Sequence, residues 1–379
     1  MIPSIEVGNS DQQGGKEAQL DAGGQENAGT QTDDENQGNA GTQDTNVGSE
    51  GIAGDTRNNG TTQNDARVST EADAQDIPEI DAGGVGNDSG QVVDSSSNTG
   101  PFDYGEPGPY EVTVEKNVGE RFRNNVPDDT ATCVALMSAL LANEPEALED
   151  LTIYPADMDR QLYTLFRPTQ LEEGKKYPVI TWGDGTCSQP LVFSKLLEHL
   201  ASHGFLVIAS NYRQVASGVE MQRGIDFMLS ENENANSYLY GKVDTQMLGA
   251  CGHSQGSSAT IVVGADERIV ATVPIQGAST FGVAALKGPT FLIAGELDTT
   301  VSPLGIENAF NAATVPAVYG LSIGQDHKMP PVNPSPILKA VTAWFKIHLS
   351  NDEEARKLFY GDVCGLCNDP GWVIKRRNL

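Results

Sequence analysis

Apolar strands alternate with amphipathic helices over much of the second half of the chain, and this alternation most restricts the possible folds. Short apolar runs such as FLVIAS (205–210) and IVATVPI (269–275) alternate with helical segments such as LVFSKLLEHLASHG (191–204), which we expect to end at Gly204. A continuous apolar run indicates a strand that is covered on both faces, and an intervening helix indicates a parallel crossover. The pattern therefore predicts an α/β fold with a mostly parallel, doubly wound sheet.

The first hundred residues differ sharply from the rest in composition. They are rich in Gly, Asn, Asp, Gln, Thr and Ser, and they hold 19 acidic but only 3 basic residues of a chain whose formal net charge is −28. Such a segment cannot bury enough apolar surface to offset the entropy of its chain. We therefore predict that residues 1–103 are a disordered acidic tether and that residues 104–379 form one folded domain.

Charge and hydropathy disfavour several kinds of partner. The domain remains moderately acidic, which disfavours nucleic acid and anionic membrane surfaces, because both attract basic patches. The sequence has no run of about 18 apolar residues, so no transmembrane segment is predicted. The first residues, MIPSIEVGNSDQQ, lack the basic and apolar regions of a signal peptide. The protein is therefore either cytoplasmic or begins upstream of the start shown.

A G-x-S-x-G pattern runs from Gly252 to Gly256 and places Ser254 at its centre. In a chain with 41 glycines the pattern also arises by chance, and a structural Gly/Ser turn is the alternative. An apolar strand precedes this pattern and a helix follows it, which is the context of a nucleophile elbow. We therefore predict that Ser254 is a nucleophile and that the N–H of Gln255 binds an oxyanion.

A nucleophilic serine needs a base and an acid, which follow it in the order Ser, acid, His. His327 lies in a loop just after a strand, whereas His348 lies within the closing helix, so we predict His327 as the base. Asp298 follows the strand PTFLIAG and is the predicted acid. Glu296 is the alternative, and Asp326 is too close to His327 along the chain.

The second oxyanion donor is expected in the loop WGDGTCSQP, which follows the strand PVIT. We assign this donor to the N–H of Asp184, with a plain turn as the alternative. The glycine on each side of Asp184 lets the backbone approach a substrate. We place Trp182, Gly185, Thr186 and Gln276 in the substrate pocket.

No cofactor or metal is expected. His199 and His203 are four residues apart on one helix, but HLASH is not the H-E-x-x-H motif and no third ligand is evident. The chain also contains neither a P-loop nor a Gly-rich dinucleotide fingerprint.

The chain has five cysteines, and the sequence does not decide which of them form disulfides. Cys364 and Cys367, in CGLC, either form a local disulfide of an exported protein or remain reduced. Cys251 lies in an apolar strand and is expected to be a small core residue. Whether Cys133 and Cys187 pair is not determined.

Several segments together resemble a known family. The segments PVITWGDGT, LGACGHSQGSSATIV, PTFLIAGELDTTVSP and FYGDVCGLCNDPGWVIKRRN are similar to bacterial secreted α/β-hydrolases of the polyester-hydrolase and cutinase-like group. The resemblance runs from about Gly108 to the C-terminus. It implies an α/β-hydrolase catalytic domain, hydrolysis of small or polymeric carboxylic esters without a cofactor, and export. We expect a monomer.

The resemblance carries over to five positions. Ser254, Asp298 and His327 match the catalytic triad, and Gln255 and Asp184 match the two oxyanion donors.

Two departures from the family bear on activity. The family tends to have an aromatic residue at the position of Asp184 and a tryptophan soon after the strand that ends at Ile275, and both are missing. A carboxylate beside an oxyanion would oppose the developing charge. Either the Asp184 side chain points away, or it hydrogen-bonds a neighbour, or activity is low. The alternative functions are a non-catalytic binding or surface protein and an acyltransferase with the same triad.

Overall fold

The computed structural model describes residues 103–122, 129–143, 157–277 and 282–379. The tether predicted for residues 1–103 lies outside the described residues, apart from residue 103.

Among the described residues, nine strands form one sheet. They are Val112–Val118 (β1), Tyr163–Pro168 (β2), Tyr177–Gly183 (β3), Leu206–Ser210 (β4), Val243–His253 (β5), Ile269–Ile275 (β6), Thr290–Gly295 (β7), Ala317–Ser322 (β8) and Trp372–Arg377 (β9). Their spatial order is β1-β2-β4-β3-β5-β6-β7-β8-β9. The six strands from β4 to β8 in this order are parallel, whereas β1, β2 and β9 pair antiparallel with their neighbours. The predicted α/β fold with a mostly parallel sheet is therefore confirmed.

Helices cover both faces of this sheet. The described helices are Thr130–Leu140 (α1), Ser194–Ser202 (α2), Val219–Glu233 (α3), Gln255–Val263 (α4), Pro303–Ala312 (α5), Met329–Val332 (α6), Ser335–Ser350 (α7) and Glu353–Arg356 (α8). Along β4, Val207 and Ala209 pack into a core that includes residues of α2 and α7. Leu206 and Ile208 pack into a second core, with residues of α3 and α4. Alternate residues of one strand thus enter opposite cores, which explains why the four residues from Leu206 to Ala209 are all apolar.

A local signal predicted the end of one helix, whereas two elements at the margins were missed. Gly204 follows α2 with φ +89°, a left-handed conformation that glycine adopts without a steric penalty. It therefore ends α2, as predicted. Helix α1 and the edge strand β9 were not predicted. Most β9 residues are partly or fully exposed, so the strand lacks the continuous apolar signal of the central strands.

Two disulfides join described cysteines. Cys364 and Cys367 form the local disulfide, which is one of the two states that the sequence left open. Cys133 pairs with Cys187 and thereby ties α1 to the loop that follows β3. Cys251 is a free, buried residue of β5.

None of the described helices is long and apolar enough to cross a membrane.

Candidate active site

Ser254 stands on a sharp turn between β5 and α4. Its backbone has φ +55° and ψ −114°, a combination that costs a non-glycine residue energy and that surrounding contacts must hold in place. One such contact is the hydrogen bond of 2.9 Å that the Ser254 N–H donates to the carbonyl of Ile275. The strand–turn–helix context predicted for this serine is therefore present.

The two glycines of the motif allow three backbone segments to meet. A Cβ on Gly252 would lie 2.3 Å from the carbonyl oxygen of Gly256, and a Cβ on Gly256 would lie 1.9 Å from that of Gly183. Both distances are shorter than any side chain tolerates, so only glycine fits. The loop after β3, which carries Asp184, consequently packs directly against the elbow.

His327 and Asp298 lie in line with Ser254. His327 Nε2 is 3.0 Å from Ser254 Oγ, and His327 Nδ1 is 2.8 Å from Asp298 Oδ2. The other carboxylate oxygen, Asp298 Oδ1, accepts the N–H groups of Thr300 and Val301 at 2.9 and 2.8 Å. The Asp298 side chain is fully buried, so these bonds fix its orientation. Three residues from separate loops thus form one continuous hydrogen-bonded chain.

Glu296, the alternative acid, and His348, the alternative base, contact other parts of the protein. Glu296 Oε2 accepts the N–H of Gly324 at 2.8 Å, which ties together the loops after β7 and β8. His348 packs in α7 with its ring centroid 4.4 Å from that of Trp344, and burial lowers its pKa to about 4. Neither residue takes part in the hydrogen-bonded chain of Ser254.

Gln255 occupies the first position of α4, where helical N–H groups have no partner inside the helix. Its side chain is directed elsewhere: Oε1 accepts the N–H of Val215 at 2.8 Å, and Nε2 donates to Gln214 Oε1 at 2.9 Å. These bonds anchor the loop before α3 to the elbow. The backbone N–H of Gln255 is therefore the group that this residue can offer to an oxyanion.

The side chain of Asp184 points into the core. It is completely buried, and Oδ1 accepts the indole N–H of Trp182 at 2.6 Å. Oδ2 has no hydrogen-bond partner among the described residues. Burial raises the pKa of this carboxyl well above its ordinary value, so the neutral acid is favoured. The structure thus combines two of the three predicted alternatives: the side chain points away, and it hydrogen-bonds a neighbour.

The raised pKa of Asp184 should make the free energy of unfolding depend on pH. A carboxyl with a raised pKa in the folded state destabilises the fold increasingly as pH rises above its unfolded pKa of about 3.9. We expect the Asp184→Asn variant, which keeps an acceptor for Trp182, to avoid this loss. Its free energy of unfolding should match wild type near pH 4 and exceed it progressively, by up to about 1.4 kcal/mol per pH unit, until the folded pKa is reached.

Urea unfolding of both proteins from pH 4 to pH 8 measures this difference. All other groups titrate alike in the two proteins, so the difference isolates Asp184. The control is Asp362→Asn, which changes an exposed carboxyl. A difference between Asp184→Asn and wild type that stays constant with pH would show that Asp184 is ionised in the folded protein.

The four residues assigned to the substrate pocket differ in exposure. Thr186 is exposed, and Gly185 lies beside it in the loop after β3. Trp182 and Gln276 are fully buried. Trp182 packs against Phe193 and bonds Asp184, which places it beneath the loop rather than on its surface. Of the four, only Thr186 presents a side chain at the surface.

His253 is the residue of the site that the sequence did not single out. Its ring centroid lies 4.8 Å from that of His327, and its Nε2–H donates to the carbonyl of His327 at 3.1 Å. Burial lowers the pKa of His253 well below its usual range, and the neighbouring His327 adds to this effect. Its position in GHSQG, directly before Ser254, was the available signal.

The two histidines with metal-like spacing have other partners. His199 Nε2 donates to the carbonyl of Tyr104 at 2.9 Å, and His203 Nε2 donates to that of Glu106 at 3.0 Å. They fasten the segment before β1 onto α2.

A doubly wound, mostly parallel sheet with a serine on a strand-to-helix elbow defines the α/β-hydrolase class. Within that class, the chain belongs to the PETase family of PET hydrolase-like proteins, whose model matches residues 163–368, more than half of the sequence. The match spans β2 to β8 and includes Ser254, Asp298 and His327. No curated protein matches the sequence significantly. Family membership implies a hydrolase that acts on esters, which agrees with the resemblance found in the sequence.

Proposed function

We propose that this protein is a serine carboxylic-ester hydrolase that works through an acyl-enzyme intermediate. The observation that carries the proposal is the hydrogen-bonded chain from Ser254 through His327 to the buried Asp298, with distances of 3.0 and 2.8 Å. The first distance allows direct proton transfer from Ser254 to His327, and the second allows Asp298 to orient the His327 ring. The family match supports the same reaction class.

Acylation begins when Ser254 Oγ attacks the ester carbonyl. His327 Nε2 accepts the hydroxyl proton as the new bond forms, and the carbonyl oxygen becomes an oxyanion. When the tetrahedral intermediate collapses, His327 returns that proton to the leaving alkoxide, which departs as an alcohol. A water molecule then attacks the acyl-enzyme and gives one proton to His327. As the second tetrahedral intermediate collapses, His327 passes this proton to Ser254 Oγ, which releases the carboxylic acid and restores the serine.

Asp298 acts on His327 rather than on the substrate. Its Oδ2 accepts the Nδ1–H of His327, so Nε2 has its lone pair free to take the serine proton. The negative charge of Asp298 also stabilises the imidazolium that forms. Because Oδ1 is already bound to two backbone N–H groups, the carboxylate has little freedom to turn.

The oxyanion is held by backbone N–H groups in this proposal. Gln255 contributes its N–H at the start of α4, and Asp184 contributes its N–H from the loop that packs on the elbow. The Asp184 carboxyl is turned into the core and favours the neutral form, so it does not oppose the developing charge. The direction of this side chain supports a catalytic site over the non-catalytic alternative.

The substrate class extends from small esters to polyesters. Thr186 offers an exposed side chain beside the site, with Gly185 next to it, whereas the buried Trp182 and Gln276 support this region from within the core. We further propose that residues 104–379 form the catalytic domain behind a tether of residues 1–103. The two disulfides support an exported protein, since such bonds persist in oxidising compartments.

Labelling with a fluorophosphonate probe tests the proposed nucleophile. We expect one probe per chain on the full-length protein, with the adduct on the peptide that carries Ser254, because only an activated serine attacks the phosphorus at a useful rate. Denatured protein serves as the control. A folded protein that takes up no probe would favour the binding-protein alternative.

Product analysis separates hydrolysis from acyl transfer. With a p-nitrophenyl ester and an added alcohol, a hydrolase yields mainly the free acid. A product that is mainly the new ester would identify an acyltransferase with the same triad.

A further inference from the structure

Two buried side chains hold the backbone of the loop that carries His327. They are His253, the last residue of β5, and Gln276, the residue that follows β6. Neither is exposed to solvent beyond a few per cent, and neither has a direct role in the proposed chemistry. Both extend from the end of the sheet at which Ser254 is placed.

His253 connects the nucleophile and the base directly. Through the chain it is bonded to Ser254, and through its Nε2–H it is bonded to the carbonyl of His327 at 3.1 Å. Because a carbonyl only accepts, Nε2 carries the proton and the ring is in its Nε2–H tautomer. Phe193 packs on the ring with a centroid distance of 5.6 Å, so the ring has a fixed position.

Gln276 binds the backbone of Asp326, the residue before His327 in the same loop. Its Nε2 donates to the carbonyl of Asp326 at 2.5 Å. Its own backbone N–H bonds the carbonyl of Ile293 at 2.8 Å, and its φ of +48° is one that few non-glycine residues adopt. A Cβ on Gly295 would lie 2.6 Å from the carbonyl oxygen of Gln325 and 2.4 Å from Gln276 Nε2, so glycine there lets the loop and the amide lie close to β7.

Two consecutive carbonyls of the loop are therefore bound by side chains from neighbouring strands. The N–H of Leu297 also donates to the carbonyl of Gln325 at 2.8 Å, which makes three successive carbonyls that are held. The loop that carries the base is thus attached to the strands that carry the nucleophile and the acid. Hydrogen bonds from residues outside the triad therefore hold the backbone on which His327 lies.

We propose that His253 and Gln276 are positioning residues that fix the distance between Ser254 Oγ and His327 Nε2. This inference rests on the proposed function, since it assigns His327 as the base. The proton must pass between two atoms that lie 3.0 Å apart, Ser254 Oγ and His327 Nε2, and a displacement of about 1 Å can lower the rate about 100-fold. A loop that slides along the sheet would produce such a displacement without unfolding the protein.

The chemistry of His253 suits this role. Burial favours the neutral ring, so no second cation stands beside His327 when it becomes an imidazolium. Removal of the Nε2–H also leaves the His327 carbonyl without that bond in a buried place, which favours a shift of the loop. His253 acts through His327 and touches no reacting atom in this proposal.

The test compares His253→Phe with His253→Gln. Phenylalanine keeps a ring but loses the donor, whereas the glutamine amide places an N–H donor near the position of Nε2. We expect His253→Phe to lower kcat about 10- to 100-fold with KM within about twofold. His253→Gln should recover most of that loss. Gln276→Met, which fills the same space without a donor, should lower kcat in the same way.

His203→Phe is the matched control. It removes the same kind of bond, from a buried histidine Nε2 to a backbone carbonyl, at α2 instead of at the site. We expect its kcat and KM to stay close to wild type. Thermal unfolding and circular dichroism of each variant separate loss of positioning from loss of folding.

Either of two outcomes would overturn the proposal. An unchanged kcat in both His253→Phe and Gln276→Met would overturn it, as would an equal loss in His203→Phe. If His253→Phe does not fold, the kcat of Gln276→Met decides. Ser254→Ala is measured in the same series: if it retained wild-type activity, the proposed function itself would fail, whatever the other variants show.

Discussion

Replacing Ser254 with alanine is expected to lower kcat for ester hydrolysis by about 10⁴-fold or more. The side-chain oxygen is the only part of the hydrogen-bonded chain that is lost, because the elbow is held by backbone contacts such as the bond to Ile275. Without the nucleophile, His327 has no hydroxyl to activate and no acyl-enzyme forms. Residual catalysis would come from the oxyanion donors and from substrate binding.

A chain-length series of p-nitrophenyl esters with wild type and Ser254→Ala measures this effect. Ser258→Ala is the matched control, because Ser258 lies one turn further along α4 and its side chain is partly exposed. Its kcat should stay within a few-fold of wild type. Equal rates for wild type and Ser254→Ala would reject the triad assignment.

Replacing Asp298 with asparagine is expected to lower kcat about 10⁴-fold near neutral pH. Asp298 Oδ1 accepts two backbone N–H groups, so the single oxygen of asparagine must stay at that position. The NH₂ group then faces His327 Nδ1 and donates to it. This forces the proton of the neutral imidazole onto Nε2, which can no longer accept the proton of Ser254.

Glu296→Gln is the control for this variant, since Glu296 was the alternative acid. Its amide oxygen can still accept the N–H of Gly324, so we expect kcat within a few-fold of wild type. Steady-state rates of both variants, together with fluorophosphonate labelling, provide the measurement. A large loss in Glu296→Gln with full activity in Asp298→Asn would exchange the two assignments.

The sequence predicted the centre of the sheet better than its edges. Strands such as Ile269–Ile275 are buried on both faces and therefore appear as uninterrupted apolar runs. The edge strand Trp372–Arg377 is mostly exposed and carries three basic residues in a row, so no such run marks it. Helix Thr130–Leu140 leaves Val134 and Leu136 exposed and was missed as well.

At the site, the order of residue types along the chain was informative. Ser254, Asp298 and His327 were predicted because each follows a strand in the order that the α/β-hydrolase class requires. Their assignment as a triad remains a prediction, which the distances of 3.0 and 2.8 Å support. No local pattern could predict that His253 and Gln276 bind successive carbonyls of a loop about 50 to 75 residues away.

The sequence by itself determined the fold class, the family and the position of the elbow, because periodicity, glycine spacing and turn residues act over a few residues. Only the tertiary structure decided the pairing of Cys133 with Cys187 and the direction of the Asp184 side chain. Both depend on which distant segments come together. The fold turns the Asp184 side chain into the core, where the indole N–H of Trp182 donates to it at 2.6 Å, and burial raises the pKa of this carboxyl despite that bond.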